Sequence, residues 1–573
     1  MDYKESFNAW LNYPYMDNET KLELQSLKDE KEIEDRFYRE LEFGTAGLRG
    51  KLGAGTNRMN IYNISKVTQG LASFIKSLGT DAMNRGVAIA YDCRHFSKEF
   101  AKTATSVLCG NNIKVYLFED LRPTPMLSFA VRHLNAISGI VITASHNPKE
   151  YNGYKVYFED GAQVLSEIAD PILDNILKIK NFYEVNKMDE KEALDKGLLH
   201  IIGKDIDDIY INKVKKLSLR DDKIDKSIKV VYTPLNGTGN KPVRRLLSER
   251  GFNSILVVPE QENPDPDFTT VGYPNPEDTR AFKYAENLGK SVGAELLIAT
   301  DPDADRLAIE VANKNGNYIP FNGNQTGAIL IEYILSSMSE KGILPSNGVI
   351  VKSIVTGDLG KTIAASYGIK TYETLTGFKN ICGLIPTLEK ENKQFVFGYE
   401  ESIGYVMDTF VRDKDAVMCS MLLCEAAAYY KSQGKTLLAV LNEIYEKYGY
   451  YSEKQISLVL EGIEGKNRIE RMMKNYREIF PTIIGNSKVI KYIDYHVETT
   501  FDLLTNKESN SGIPKSNVLK FFLDDASFYA IRPSGTEPKI KIYLYTKGET
   551  LKESFEKIEL LEKSILNILN SIE

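Results

Sequence analysis

The sequence predicts an α/β chain of several domains, and three observations carry that prediction. From about residue 85, short apolar runs alternate with helical segments, the pattern of βαβ units. The same rhythm starts again twice further along. In each of the three blocks an apolar strand runs straight into a polar loop dense in Ser, Asp or Glu. At 573 residues the chain is long enough for about four compact units.

The first forty residues, rich in Lys and Glu with spaced Leu and Phe, predict an amphipathic helical arm. The first α/β block then reads GVAIAYD (strand), SKEFAKTATSVL (helix), IKVYLFE (strand), MLSFAVRHL (helix) and AISGIVITAS (strand). The second takes SIKVVYTPLNGTG, KPVRRLLSERG, FNSILVVP, a helix near 278–292 and AELLIATDPDADR. SNGVIVKSIVTGDLG, a helix near 358–367 and KQFVFGYEESIG form the third. The end differs: FFLDDASFYAIR, KIKIYLYTKG and a closing helix, LKESFEKIELLEKSILNIL, predict a small α+β domain. Residues 500–516 are polar and turn-rich and predict a surface loop.

Composition excludes several classes. A net charge of −7 argues against a nucleic-acid or anionic-membrane coat. Five scattered cysteines, with no C-x-x-C pair, argue against a zinc knuckle or a disulfide framework and fit a reducing cytoplasm. The N-terminus carries charges of both signs and reads as no secretory signal. AVMCSMLLCEAAAYY is the longest apolar stretch; Glu425 interrupts it, so it reads as a buried helix rather than a membrane span.

Four loops could do chemistry. TASHNP places Ser145 at the end of a strand, flanked by His146, Asn147 and Pro148; the same residues also make a plain turn. No G-x-S-x-G elbow is present, which disfavours a serine hydrolase. In DPDADR, Asp301, Asp303 and Asp305 follow a fully apolar strand, and buried carboxylates need a cation. Their oxygen-only donors point to a hard ion, Mg²⁺ before Zn²⁺, with Arg306 offering a fork to a phosphate. The spacing fails as an EF-hand, since Arg306 and Ala312 stand where Gly and Glu are needed. GYEESIG offers Glu400 and Ser402 as a hydroxyl-binding pair, or equally a solvated strand end, with Lys379 and the run VRDKD (412–415 being Arg, Asp, Lys, Asp) near in sequence. RPSGTEPK crowds Arg532, Ser534, Gly535, Thr536 and Lys539 onto one tight loop, the donors of a phosphate cradle. No G-x-G-x-x-G follows a strand, so a dinucleotide enzyme is disfavoured.

Together with FGTAGLRG (43–50), these motifs resemble, in order and spacing, those of the α-D-phosphohexomutases, the phosphoglucomutases and phosphomannomutases. The arm, FGTAGLRG and VGYPNPE (271–277) resemble the phosphoglucomutase-2-like branch. The resemblance runs from about residue 40 to the end. It implies a four-domain architecture around a central cleft: three related α/β domains with mixed sheets, then the α+β domain. The expected divisions are an arm (1–40), a phosphoserine domain (41–205), a metal domain (206–320), a sugar domain (321–455) and a phosphate domain (456–573). It implies a cytoplasmic isomerase, monomer or dimer, acting on a small sugar phosphate with no nucleic-acid or membrane partner.

By the same resemblance Ser145 carries the transferred phosphoryl group, and Ser145, Asp301, Asp303 and Asp305 hold Mg²⁺. Arg49 and Lys155 surround that group, and the general acid/base falls among His146, Lys155 and Lys379. Glu400 and Ser402 match the sugar-hydroxyl loop, with Lys379 near the sugar, and Arg532, Ser534, Gly535 and Thr536 grip the other phosphate; Arg306, read above as a fork to a phosphate, joins them as a substrate-binding residue. Glucose 1,6-bisphosphate is implied as primer. The expected reaction interconverts glucose 1-phosphate and glucose 6-phosphate; phosphomannomutase, phosphopentomutase or glucose-1,6-bisphosphate synthase activity would use the same serine. Tyr399 departs from the family's usual GEES loop and is bulky enough to reshape the sugar pocket.

Overall fold

The computed structural model describes residues 2–572 except Ala46, Asp222, Lys223, Glu461 and 535–538. The chain divides into two compact units. One comprises Met1–Gly323 with Ile385–Glu391 and Phe395–Thr436; the other comprises Asn324–Leu384, Asn392–Gln394 and Leu437–Glu573.

In the first unit the N-terminal arm forms three short helices, Tyr3–Leu11, Asn18–Ser26 and Glu30–Phe37, rather than one. Asp2, Asp17 and Asp29 cap them, because each carboxylate accepts an otherwise orphaned backbone N–H. Trp10, Met16, Leu24 and Phe37 bury the arm against Tyr62.

Two mixed sheets follow, built on one plan. In the first, Val87–Tyr91, Val115–Phe118, Ser138–Ile142 and Leu199–Ile202 run parallel, and Tyr151–Phe158 returns antiparallel beside Ser138–Ile142. In the second, Val230–Thr233, Ile255–Val257 and Leu296–Thr300 run parallel, and Leu307–Ala312 returns beside Leu296–Thr300. Ser138–Ile142 and Leu296–Thr300 are buried at every residue, as strands covered by helices on both faces must be. A third return, Gln394–Glu400 to Gly404–Met407, is an antiparallel hairpin. TASHNP, DPDADR and ESI are thus the same element three times over, the turn between a buried strand and its antiparallel return. Each turn holds one non-glycine residue in left-handed backbone: Ser145 (φ 53°), Ala304 (φ 50°) and Ile403 (φ 56°).

Glu425 does not break the helix Ala416–Ser432. It is fully buried, pairs with Arg250 at 2.6 Å and accepts from the N–H groups of Leu219 and Arg220, so its charge is balanced and its oxygens are filled.

In the second unit, Gly348–Ser353 and Lys370–Thr374 pair in parallel, and the C-terminal domain is an eight-stranded antiparallel sheet covered by the helices Gly462–Glu478 and Leu551–Asn570. Residues 500–516 hold no simple loop: Thr499–Asp502 and Lys507–Asn510 form a hairpin on the sheet's edge. Its side chains are polar because Lys507–Asn510 is exposed at every residue, and exposure hid the strand from a hydrophobicity reading.

Candidate active site

The serine loop is fastened from below. Gly47 (φ 73°) begins the run into the strand Leu48–Lys51; a Cβ there would lie 2.0 Å from the Tyr154 carbonyl oxygen, so only glycine lets the two backbones meet. That pairing sets Arg49 opposite Gly153, and Arg49 Nη1 donates to Asn147 Oδ1 at 3.1 Å. Buried Arg94 threads the loop, donating to the carbonyls of Ser145 (2.6 Å), Pro148 (2.8 Å), Tyr151 (3.1 Å) and Asn147, while its guanidinium lies 4.9 Å from the Phe268 ring centre. The Ser145 N–H donates to Thr143 Oγ1 at 2.8 Å. Ser145 is 3% exposed; its Oγ donates to Asp301 Oδ2 at 2.6 Å and lies 3.2 Å from His146 Nδ1. Burial, with the charges of Arg306 and Arg49, pushes His146 well below the ordinary imidazole range, so the ring is neutral beside the serine.

The carboxylate loop closes over that hydroxyl. Asp301 Oδ1 accepts from the N–H groups of Asp305 (3.2 Å) and Arg306 (3.0 Å), which fixes the turn. Asp303 Oδ2 accepts from Thr124 Oγ1 and from Lys155 Nζ, both at 2.8 Å. Asp305 Oδ2 lies 3.1 Å from Lys414 Nζ and 3.5 Å from Lys155 Nζ. All three carboxylates are buried, one oxygen of each lies within 4.8 Å of the others, and Asp303 Oδ1 and Asp305 Oδ1 accept no hydrogen bond. Burial and the charges of Asp303 and Asp305 drive Asp301 well above the carboxylate range; Asp303, although buried, is held below it by Lys155 and Thr124. Three converging carboxylates with spare buried oxygens are what a hard divalent cation requires, and a cation among them would reverse the upward push on Asp301.

The third loop lies beside the second: Leu307 N–H donates to the Ile403 carbonyl, and Arg306 bridges Gly404. Glu400 is buried and pushed up to about 7 by burial and Glu401, against the pull of Lys414 and Arg306, while Ser402 bonds its carboxylate. Tyr399 does not reshape the sugar loop. It sits on the opposite face of the strand from Glu400, 1% exposed and stacked on Phe397 with ring centres 6.1 Å apart, because successive side chains of a strand alternate.

Models of three domains of one family match the chain: phosphoglucomutase/phosphomannomutase alpha/beta/alpha domain I over residues 40–182, domain II over 208–315 and domain III over 322–448. A Staphylococcus epidermidis phosphoglucomutase is 39% identical over 537 residues, covering 94% of this chain and 96% of its own; one from Staphylococcus aureus is 39% identical over 536, covering 93% and 95%. The chain belongs to the phosphoglucomutase/phosphomannomutase family. It is an enzyme of that family, an isomerase. Crystal structures of pp63/parafusin from Paramecium (TM-score 0.69, 19% identity, 93% of this chain and 95% of that one) and of a family protein from Burkholderia thailandensis (0.65, 17%, 92% and 97%) share the fold. No helix among the described residues is long and apolar enough to cross a membrane.

Relative to the family motifs, the first unit brings Arg49, Ser145, His146, Lys155, Asp301, Asp303, Asp305, Arg306, Glu400 and Ser402 into one neighbourhood. Lys379, Arg532 and Ser534 belong to the second unit, where burial and the Arg532 guanidinium lower Lys379 to about 8. Gly535 and Thr536 lie outside the described residues. Sequence reasoning gave no site role to Thr124 or Arg94, and noticed Lys414 only within VRDKD, as charge near the third loop in sequence. Lys414 had a signal: a Lys between two Asp immediately before an apolar helix is seldom a solvated run, and here Asp413, Lys414 and Asp415 are all buried.

Proposed function

We propose that this enzyme interconverts glucose 1-phosphate and glucose 6-phosphate in the cytoplasm, with Ser145 as the phosphoryl carrier. The observation that carries this reading is the Ser145 hydroxyl held 2.6 Å from a carboxylate of a cation-demanding triad. Asp301, Asp303 and Asp305 would hold Mg²⁺, whose charge screens the phosphoryl oxygens during transfer.

Phospho-Ser145 meets a hydroxyl of the bound hexose phosphate. The bond from phosphorus to Ser145 Oγ breaks as the bond to the sugar oxygen forms; the sugar hydroxyl loses its proton, and Ser145 Oγ takes one up. The neutral ring of His146, 3.2 Å from Oγ, would accept the Oγ proton when Ser145 attacks in the return step, and the imidazolium so formed would give that proton back when Oγ next leaves. Arg49 and Lys155 supply positive charge beside the group in flight, and Glu400 with Ser402 bonds the sugar hydroxyls. Arg532, Ser534 and Lys379 bind the phosphate that is not transferred. The product of this half is a bound 1,6-bisphosphate; returning its other phosphoryl to Ser145 completes the isomerisation, and free glucose 1,6-bisphosphate primes an unphosphorylated enzyme.

The test is turnover of glucose 1-phosphate with Mg²⁺ and a trace of the bisphosphate, with mannose 1-phosphate and deoxyribose 1-phosphate alongside. Glucose 1-phosphate should be strongly preferred, and Ser145→Ala should abolish turnover without lowering the melting temperature. A Ser145→Ala enzyme that still isomerises would end the reading.

A further inference from the structure

A second charged cavity lies in the first unit, away from the serine and carboxylate loops. Its volume is about 530 Å³, within the size range of small-molecule sites. Two helix C-termini build it: Thr124–His133 contributes Phe129, Arg132 and His133, and Lys204–Lys215 with its cap contributes Lys213 and Lys216. The turn after the Gly404–Met407 strand adds Asp408 and Phe410.

The charge there is one-sided. Of the residues lining it, Arg132, Lys213 and Lys216 face one carboxylate, Asp408. Among the described residues neither Lys213 nor Lys216 has a carboxylate within ion-pair distance; Lys213 lies 5.6 Å from the Phe410 ring centre instead. Arg132 donates through Nη1 to the Asp160 carbonyl and has the carboxylates of Asp160, Glu389 and Asp408 around it with the Arg412 guanidinium, so the surplus positive charge rests on Lys213 and Lys216. The walls carry aromatic rings in fixed geometry. Phe129 stacks on His133 at 5.4 Å and meets Phe410 edge-on at 6.1 Å. Cations around rigid rings favour an anion that also presents a flat face.

The cavity is also separate from the reaction. Thr124, which bonds Asp303, and His133 stand at opposite ends of one helix, about 14 Å apart at 1.5 Å per residue.

We propose that this cavity is a second ligand site, taking a small organic phosphate that carries a planar ring. The phosphate lies among Arg132, Lys213 and Lys216, and the ring against half-buried Phe410 and the exposed His133 imidazole, both held by buried Phe129 behind them. The competing reading is that these cations only offset the partial negative charge of two helix C-termini.

The experiment titrates the full chain, with Mg²⁺ present, with adenosine 5′-monophosphate and, separately, inorganic phosphate, by calorimetry. The Lys213→Ala/Lys216→Ala double variant should lose about tenfold or more in affinity for the nucleotide, and Phe410→Ala a smaller factor. Inorganic phosphate should bind the wild type about tenfold more weakly than the nucleotide, because it has no ring. Neither variant touches the serine or carboxylate loops, so each should keep its melting temperature and sugar-phosphate interconversion within about twofold of wild type. Equal nucleotide affinity in wild type and double variant, or none in either, overturns the proposal and leaves the helix-terminus reading. Inorganic phosphate binding as tightly as the nucleotide overturns the ring.

Discussion

Asp301, Asp303 and Asp305 with Lys155 and Lys414 in the first unit, and half-buried Glu373 with buried Lys352 and Lys520 in the second, both set carboxylates against buried lysines. They are filled differently. In the first, Lys155 and Lys414 reach the carboxylates, yet Asp303 Oδ1 and Asp305 Oδ1 accept nothing. In the second, Glu373 lies 3.5, 3.3 and 3.6 Å from Lys352, Lys361 and Lys520, and Asp358 lies 2.8 Å from Lys352. The extra protons of Lys352 and Lys520 go to the carbonyls of Thr356 and Ile354. Backbone carbonyls complete a cluster with surplus cations and no ligand is needed. Around the triad, backbone N–H groups fill Asp301 Oδ1 but no donor among the described residues reaches Asp303 Oδ1 or Asp305 Oδ1, and that deficit points to an ion from outside.

That contrast can be broken most sharply at Asp301, the carboxylate that burial and its neighbours push up. Asp301→Asn should cost roughly a thousandfold or more in kcat and weaken Mg²⁺ binding, while thermal stability in metal-free buffer holds or rises, because it removes one of three crowded charges and strands no lysine. A marked fall in metal-free melting temperature would put the triad in the same class as the lysine cluster. Glu373→Gln should behave oppositely. It leaves buried Lys520 without an ion pair among the described residues while Lys352 keeps Asp358, so denaturant unfolding should show a loss of about 3 kcal/mol, with kcat of the folded protein little changed.

A lone buried carboxylate supplies the control. Glu310 is 2% exposed, its Oε2 has no hydrogen bond, and burial with the charge of Glu286 pushes it up to about 7. Its folded pKa lies above its unfolded one, so its contribution to stability is present in acid and is lost as pH rises through 7. Glu310→Gln should remove that loss, gaining about 3 kcal/mol over wild type at pH 8 relative to pH 4. The smallest effect is expected at Lys379, lowered to about 8 by burial and Arg532. Between pH 7 and 9 it sheds its charge, and KM for the sugar phosphate should rise about fivefold, whereas Lys379→Arg should flatten the profile.

The sheets and their loops were legible because an apolar strand that stops abruptly at a polar or charged loop marks both the strand's end and a candidate site: LLIAT into DPDADR, GIVIT into TASHNP. Contacts that cross long stretches of sequence were not. Thr124 reaches Asp303 across 179 positions, and Arg94 holds the Ser145 carbonyl across 51. A single threonine or arginine carries no periodicity, so no local pattern marks it. Tyr399 misled for a related reason: composition shows its bulk, and only the strand's alternation shows which face receives it. The edge hairpin at 499–510 escaped because strands are read from apolar residues, and this one has almost none.

The hydrogen bond from Ser145 Oγ to Asp301 ties the phosphoryl carrier of the proposed cycle to the carboxylate triad. On the proposed cycle each turnover leaves on the serine as much phosphorus as it removed. A chain fresh from synthesis therefore has nothing to lend, and no number of encounters with its substrate alone will start it. On that cycle its first loan would come from a bisphosphate made elsewhere or let go by an older molecule. Activity in a growing cell is then handed from one generation of molecules to the next, and a population stripped of every phosphoryl group would stay silent with its fold intact.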